Sequence, residues 1–592
     1  MNVASPAATS RWSDFGTTVL LVAILSAMYG ARLTVQPVVG EESRWASGAR
    51  EMLTTGDWIV PRQQGIVFPE RPPMTMWLMA LGGIVRGDVD AIAIRFPSAV
   101  AVVLTSLLIY IYARAQISQS AALIAAIVYA SFGQVLQIGR QGESEAAFAL
   151  FVGASLLVWH LGYSRGWRPL TVWTSGFALA GIAALVKGPQ APAYFGAITI
   201  VYLLWQRDFR YALLWQAFVG SLAFIAIVGA WQLPFYWATN WKAVVATWAG
   251  LVGDRVHLSG VLLHFVSYPL ETLVCLLPWS PMLVALFRPG ARQMLADKSA
   301  VVSFLLIGIV VAYPTVWLAA DARGRYFMPL YPLVAVLIGL LIERCSLAAI
   351  GSSQRRGWQQ FVSIWTAVIG IGAASFAVAA FLPADFVKSL YQPRAFSLVI
   401  AAGCAFAAIV LIFTLRQSFQ SGAALAVTAI AFVSAIAVAG MMVNVNTARW
   451  NNPQAAVSEF KKHLPAGTTL VSLSPAEHRF VYYFGAPVVE IGWPKTLSEL
   501  PPEVEYFCFM RRPGDNAASR ASGRGRSPTV TSGTLPFAWT EVASICVERK
   551  KNNRQQASVV LGRVIRPLRY ELTDATVPKI NVALQSATAS RQ

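Results

Sequence analysis

The feature that most limits what this chain can become is a series of long, nearly uncharged apolar runs. They lie near 16–37, 92–114, 119–138, 144–163, 171–187, 190–205, 211–231, 266–287, 300–319, 327–345, 360–382, 394–415 and 422–444. A spanning helix needs about 20 mostly apolar residues, and in lipid only a helix satisfies its own backbone hydrogen bonds. The runs predict an α-helical integral membrane protein with about thirteen transmembrane helices. Composition agrees. Only 13% of the 592 residues are charged and 56% are hydrophobic, whereas soluble chains carry about 25% charge. The stretch Phe15–Val38 is too long for a signal-peptide core, and no small-x-small site follows it, so it reads as the first span. Met74–Val85 is too short to cross and reads as a re-entrant or interfacial helix.

The net charge is +19. In a soluble protein that would suggest nucleic acid. Here Lys and Arg hold loops on one side and meet anionic headgroups, and no compact basic domain carries the excess, so no nucleic-acid partner is expected. Arg11, Arg114, Arg165, Arg168, Arg207, Arg210, Arg288, Arg292, Lys298, Arg344, Arg355, Arg356 and Arg416 fall in one set of short loops. The positive-inside rule makes that set cytoplasmic. The N-terminus is then cytoplasmic, and an odd number of spans puts the C-terminal domain outside a bacterial inner membrane, in the periplasm of a Gram-negative cell. Carboxylates gather on the opposite face, among them Glu41, Glu42, Glu51, Asp57, Glu70, Glu143, Glu145, Asp254 and Glu271. Acidic residues contribute little to insertion, so this asymmetry marks the outer face as the working face.

Residues 1–445 read as the transmembrane domain, with a structured outer loop at 38–91 and a second outer loop at 232–265. Residues 446–592 are more polar and read as a small α/β domain. Ala455–Leu464 is its helix, and Thr468–Leu473, Phe480–Phe484, Val488–Ile491, Tyr506–Met510, Val542–Val547 and Val559–Val564 are β-type runs. Residues 512–536, rich in Gly, Ser, Arg and Pro, read as a flexible loop, and the last twenty as disordered. No Cys-x-x-Cys is present, which argues against a zinc or iron–sulfur framework. Cys508 and Cys546 either pair in an oxidising compartment or stay as two buried thiols.

Six stretches carry chemistry. Glu41-Glu42 with Arg44 and Trp45 offers acid/base groups, or simply a polar cap on a helix start. Asp57 and Arg62, then Glu70-Arg71-Pro72-Pro73, set a guanidinium on a stiffened chain, which suits phosphate. Arg140 and Glu143-Ser144-Glu145 open a span, where a carboxylate is costly and often functional. Lys187-Gly188-Pro189 puts a point charge between apolar runs; the plainer reading is a snorkelling Lys. Asp254-Arg255 with His257 and His264 precedes Leu277-Pro278-Trp279, and without a third ligand zinc there is weak. Arg323-Gly324-Arg325-Tyr326, followed by Pro329-Leu330-Tyr331-Pro332, could grip a phosphate or diphosphate sugar.

Taken in this order, the six stretches resemble the bacterial membrane glycosyltransferases related to the lipid A aminoarabinose transferase and the protein O-mannosyltransferases. The resemblance covers roughly residues 15–345 and implies the GT-C fold, a polyprenyl-phosphate sugar donor and transfer on the outer face to a lipid, glycolipid or protein acceptor. Three positions depart from the family pattern: Glu41 and Glu145 stand where Asp is usual, and Arg71 where Lys is usual. The resemblance implies Glu41 and Glu145 as catalytic groups. Glu42, Arg44, Glu70, Arg71, Lys187, Arg255, His264, Arg323, Arg325 and Tyr326 would bind substrate. No cofactor is required; a divalent metal between carboxylates is compatible with these residues but not demanded by them. The competing readings are a transporter or flippase of lipid-linked sugars and a non-catalytic membrane scaffold. A transporter would place ionisable residues at the bilayer midplane; here they sit at span ends.

Overall fold

The computed structural model describes residues 11–566, except positions 32 and 39 and segments 254–260, 320–321, 383–393, 417–421, 438–452, 512–534 and 549–556. Its helices are α1 Arg11–Gly30, α2 Glu41–Thr55, α3 Met74–Arg86, α4 Ala91–Gln116, α5 Gln119–Ser131, α6 Gly133–Ile138, α7 Ser144–Ser164, α8 Pro169–Lys187 and α9 Gln190–Trp205. There follow α10 Trp215–Ala238, α11 Trp241–Gly253, α12 Val261–Cys275, α13 Ala291–Met294, α14 Ser299–Trp317, α15 Tyr331–Leu347, α16 Ser353–Ala379, α17 Arg394–Arg416 and α18 Gly422–Ala435.

Among the described residues, eight helices are long and apolar enough to cross a membrane. A ninth is added if α12 and the turn Ser280–Phe287, bent by 109°, count as one span. Length alone thus yields fewer crossings than the thirteen expected. The difference lies in short apolar helices such as Phe15–Gly30, α5, α9 and α18. At about 1.5 Å per residue these do not reach across the roughly 30 Å hydrocarbon core. α15 and α5 form the buried centre, and they pack closely because Gly339 has no side chain: a Cβ there would stand 2.6 Å from that of Ala125.

Segment 38–91 holds two helices and a hairpin. α2 packs on α3 around Trp45, Met52, Phe68, Met76 and Met79. Between them, β1 (Arg62–Gln63) and β2 (Ile66–Val67) form a small hairpin. Asp57 Oδ1 accepts from the N–H groups of Ile59 and Val60, fixing the preceding turn. The second expected loop, 232–265, is mostly helix instead. α10 runs on to Ala238, and α11 restarts at Trp241, where Asn240 Oδ1 caps it by accepting from the Ala243 N–H at 3.0 Å. Asp254, Arg255 and His257 lie outside the described residues.

The C-terminal unit is a five-stranded sheet in the order β4-β3-β5-β7-β6. Its strands are β3 Leu470–Ser472, β4 Val488–Glu490, β5 Tyr506–Arg511, β6 Trp539–Glu548 and β7 Ala557–Val564. β3 runs parallel to β4 and β5, whereas β5, β7 and β6 are antiparallel. The run Phe480–Phe484, expected as β, lies in a helix, His478–Phe484. Glu477 accepts from the N–H groups of Arg479 and Phe480 at its start, and Gly485 ends it with φ 72°. Local capping outweighs the β preference of Phe, Val and Tyr. Cys508 and Cys546 do not pair. β7 lies between their strands, Cys508 facing Leu561 and Cys546 facing Ser558. The boundary expected at 445–446, the flexible loop through residue 534 and the last twenty residues fall outside the described residues.

The small sheet unit sits on the first outer loop. Gln64 bonds both ways with the Ala476 backbone, at 3.1 and 3.2 Å, and its carbonyl accepts from Glu490 N–H at 3.0 Å. Arg50 donates to the Tyr482 carbonyl at 2.9 Å, and Tyr483 Oη accepts from Val38 N–H at 2.7 Å.

Candidate active site

Three chain segments converge at the acidic face. α7 starts just after Glu143, α8 ends on Lys187, and a 3-10 turn, Gly324–Leu330, carries Arg325 and Tyr326. Each placement has a local cause. Gly188, at φ 104°, stops α8 directly behind Lys187, and Pro189 then starts the next helix. Gly324 is held by α12: its N–H donates to Glu271 Oε1 at 2.7 Å, and a Cβ there would lie 2.8 Å from Cys275 Sγ.

Lys187 Nζ donates to Glu145 Oε1 at 2.9 Å. Arg325 Nε stands 3.3 Å from the same oxygen, and its Nη1 3.5 Å from Glu143 Oε1. The Tyr326 ring lies 4.8 Å from Lys187 Nζ, within cation–π range. The charge of Arg71 opposes that of Lys187, and the charge of Glu41 acts on both Glu143 and Arg325. The Lys187 and Glu145 side chains are 6% and 3% exposed. At such burial, losing the shared Glu145 carboxylate would strand buried cations, at a cost of about 3–5 kcal/mol, whereas losing Lys187 leaves Glu145 with Arg325.

The two carboxylates of this cluster differ. Glu145 is held by both Lys187 and Arg325. Burial, and then the charge of Glu145, push Glu143 up to about 8 against the pull of Arg325. Glu143 therefore takes up or releases a proton near neutral pH, and divergent environments of this kind separate the roles of paired carboxylates.

Of the residues singled out in the sequence, Glu145, Lys187, Arg325 and Tyr326 are in contact, and Arg71 and Glu41 act on them through charge. Arg44 binds Glu41 at 3.5 Å and Glu70 at 2.7 Å and covers the Phe68 ring, forming a more exposed rim. Glu42 is engaged elsewhere. Its two oxygens take Arg95 Nε and Nη2 at 2.9 and 2.8 Å, and one also takes the Gly142 N–H. Arg323 is exposed; its carbonyl accepts from the Tyr326 N–H at 2.8 Å and from the Tyr268 hydroxyl at 3.4 Å, and among the described residues no ion pair joins its guanidinium to the cluster. His264 lies beside Tyr268, the rings tilted by 41° with centroids 5.0 Å apart, and no described hydrogen bond joins it to the cluster. Arg255 is outside the described residues.

Sequence reasoning singles out Glu143 beside Glu145 without giving it a role, and gives none to Glu271 or Arg95. The signals were present: Glu-Ser-Glu astride a helix start, and single ionisable residues in otherwise apolar helices, which lipid tolerates only for a reason. Among the described residues, no group of three or more His, Cys, Asp or Glu could hold a metal ion. Beside Cys275 and Pro278 an apolar cavity of about 540 Å³ opens between α6, α12 and α16–α18, with Gln134 and Gln137 among its few polar walls.

Residues 70–231 match the family model for dolichyl-phosphate-mannose-protein mannosyltransferase. The undecaprenyl phosphate-alpha-4-amino-4-deoxy-L-arabinose arabinosyl transferase of Pseudomonas aeruginosa (strain LESB58) is 28% identical over 373 residues, covering 61% of this chain and 64% of the relative. A second such transferase, from Proteus mirabilis, is 27% identical over 56% of this chain and 60% of its own length. The match thus spans somewhat less than two thirds of these curated relatives. Among solved structures, ArnT from Cupriavidus metallidurans in the apo state superposes with a TM-score of 0.66 at 18% identity, covering 93% of this chain and 98% of that one. Its complex with undecaprenyl phosphate gives 0.64 over 92% and 98%. The chain is a multi-pass membrane protein that shares the fold of these ArnT structures.

Proposed function

We propose that this chain is a glycosyltransferase that moves a sugar from a polyprenyl-phosphate donor to a lipid or other acceptor at the outer face of the bacterial inner membrane. Its N-terminus is cytoplasmic and its C-terminal unit periplasmic in this reading. One observation carries it: the cations Arg71, Lys187 and Arg325 gather around Glu145 and a Glu143 that protonates near neutral pH. A buried site with surplus positive charge, at the end of apolar helices, suits the phosphate of a lipid carrier. The adjoining apolar cavity has the lining to hold part of a prenyl chain. The named relatives act on an undecaprenyl-phosphate-linked sugar, which supports that donor class here.

In the reaction, the bond from the anomeric carbon to the phosphate oxygen breaks, and an acceptor hydroxyl oxygen bonds to that carbon. Arg71, Lys187 and Arg325 offset the negative charge growing on the departing phosphate. Glu145 orients two of these cations. The hydroxyl proton passes to a carboxylate, and Glu41 at the rim and Glu143 within the cluster are the two candidates for it. Purified protein in proteoliposomes, given donor labelled in the sugar, should release undecaprenyl phosphate and label an acceptor lipid. Movement of intact donor across the bilayer with the sugar–phosphate bond unbroken would instead establish transport and overturn this reading.

A further inference from the structure

A second cleft lies far from the acidic cluster. It sits between the turn Ser280–Phe287 and the first turns of α16, with Cys345, in the last turns of α15, at its floor. Arg325 and Tyr326 precede the other end of α15, so the cleft is on the opposite membrane face. Its volume is about 190 Å³. Its walls grade from lipid-facing and apolar to cationic. Val284 and Ile364 are 55% and 62% exposed, Phe361 lines the interior, and Arg288 and Gln354 close the polar end.

Arg288 is fixed there. Its Nη1 donates to the Ser353 carbonyl, and the guanidinium lies against Gly357 so closely that a Cβ would fall 2.0 Å from Nη1. A snorkelling Arg would swing freely into water; this one is wedged against α16. No described carboxylate pairs with it, whereas Arg344 on the same face is paired with Asp297 at 2.5 Å. Arg292, Arg355 and Arg356 add positive charge nearby. A fixed, acid-free guanidinium at the mouth of an apolar cleft open to lipid matches one molecule class, with an anionic head and an acyl chain.

We propose that this cleft is a binding site for an anionic phospholipid. The phosphate sits on Arg288, and an acyl chain lies along Val284, Phe361 and Ile364. The site is independent of the transfer reaction; only its assignment to the cytoplasmic leaflet rests on the proposed orientation.

Native mass spectrometry of the full chain, titrated with phosphatidylglycerol or phosphatidylcholine of the same acyl chains, tests it. Wild-type protein should retain phosphatidylglycerol preferentially, and Arg288→Gln should lower that preference about fivefold, as expected for one interfacial Arg. Arg292→Gln, an exposed Arg outside the cleft, should change it far less. Glycerol phosphate at equal concentration should not displace the lipid. Equal effects of the two substitutions, no preference in the wild type, or displacement by glycerol phosphate would overturn the proposal. Should Arg288→Gln not fold, photo-crosslinkable phosphatidylglycerol on the wild-type chain decides. Labels within 281–288 and 354–364 support the site, and labels elsewhere contradict it.

Discussion

Two buried ion clusters stand near the same membrane face and have opposite characters. In the first, Arg95 gives two donors to Glu42 and the rest to the carbonyls of Leu33, Gln36 and Pro37. The Arg95 and Glu42 side chains are 1% and 2% exposed. One cation meets one anion, and the remaining donors are satisfied by backbone. Such a closed unit ties the chain before α2 to α4 and has no capacity left for a ligand. In the second, Glu145 is shared by Lys187 and Arg325, Arg71 adds a further positive charge, and Glu143 is protonated over much of the neutral range. Positive charge exceeds negative, and an anion is what would balance it. The balanced pair acts as a structural clamp, and the unbalanced cluster is the site proposed to receive the phosphate.

The largest effect expected is on the clamp. Arg95→Ala strands Glu42 in the interior and should cost about 3–5 kcal/mol, read as a large drop in melting temperature. Next come Lys187→Met and Arg325→Gln. Each should lower transfer roughly 10²–10³-fold, the cost of deleting one donor to developing charge, with a smaller change in melting than Arg95→Ala. If both clusters affect folding alike and transfer alike, the distinction between clamp and receptor is wrong.

Glu143 gives a test by pH. Its folded-state value is raised to about 8 from the ordinary 4.5, so between those limits the folded chain holds a proton that the unfolded chain has lost. Stability should fall as pH rises through this window, and Glu143→Gln should flatten the slope in melting curves. If Glu143 takes the acceptor proton, kcat/KM should rise toward a plateau above about pH 8 in the wild type, and this limb should vanish in Glu143→Gln. If Glu41 is the base, Glu41→Gln abolishes transfer and Glu143→Gln keeps it. The smallest effect belongs to the docking of the sheet unit. Arg50 bonds the Tyr482 carbonyl and pairs with the more exposed Asp88, so Arg50→Ala should shift stability by about 1 kcal/mol or less.

The membrane class and the asymmetry of charge were legible in the sequence because hydropathy and charge sign are local properties. Lys187, Arg325 and Glu145 were legible as a set only through ordered motifs. Their meeting joins residues 42 apart in one pair, which no local period encodes. The same limit hid the Glu42–Arg95 clamp, whose partners are 53 residues apart. Glu41 and Glu42 are neighbours with the same chemistry, yet successive residues on a helix point about 100° apart. One turns to the rim and the other inward onto Arg95, so Glu42, expected at the substrate, is spent in the clamp. Phe480–Phe484 reads as strand because its β-favouring side chains outweigh a short cap-to-cap helix signal from Glu477 to Gly485. The docking of the sheet unit on loop 38–91 joins the side chains of Gln64, Arg50 and Tyr483 to backbone groups 412, 432 and 445 residues away, a separation that no local pattern encodes.

The receptor claim is tested most directly by binding. The affinity of the detergent-solubilised chain for undecaprenyl phosphate, measured beside undecaprenol, isolates the contribution of the phosphate. The account predicts tighter binding of the phosphate lipid by the wild type, with the advantage lost in Lys187→Met and Arg325→Gln while undecaprenol affinity holds. Equal affinity for the two lipids, or an advantage that survives both substitutions, would contradict it.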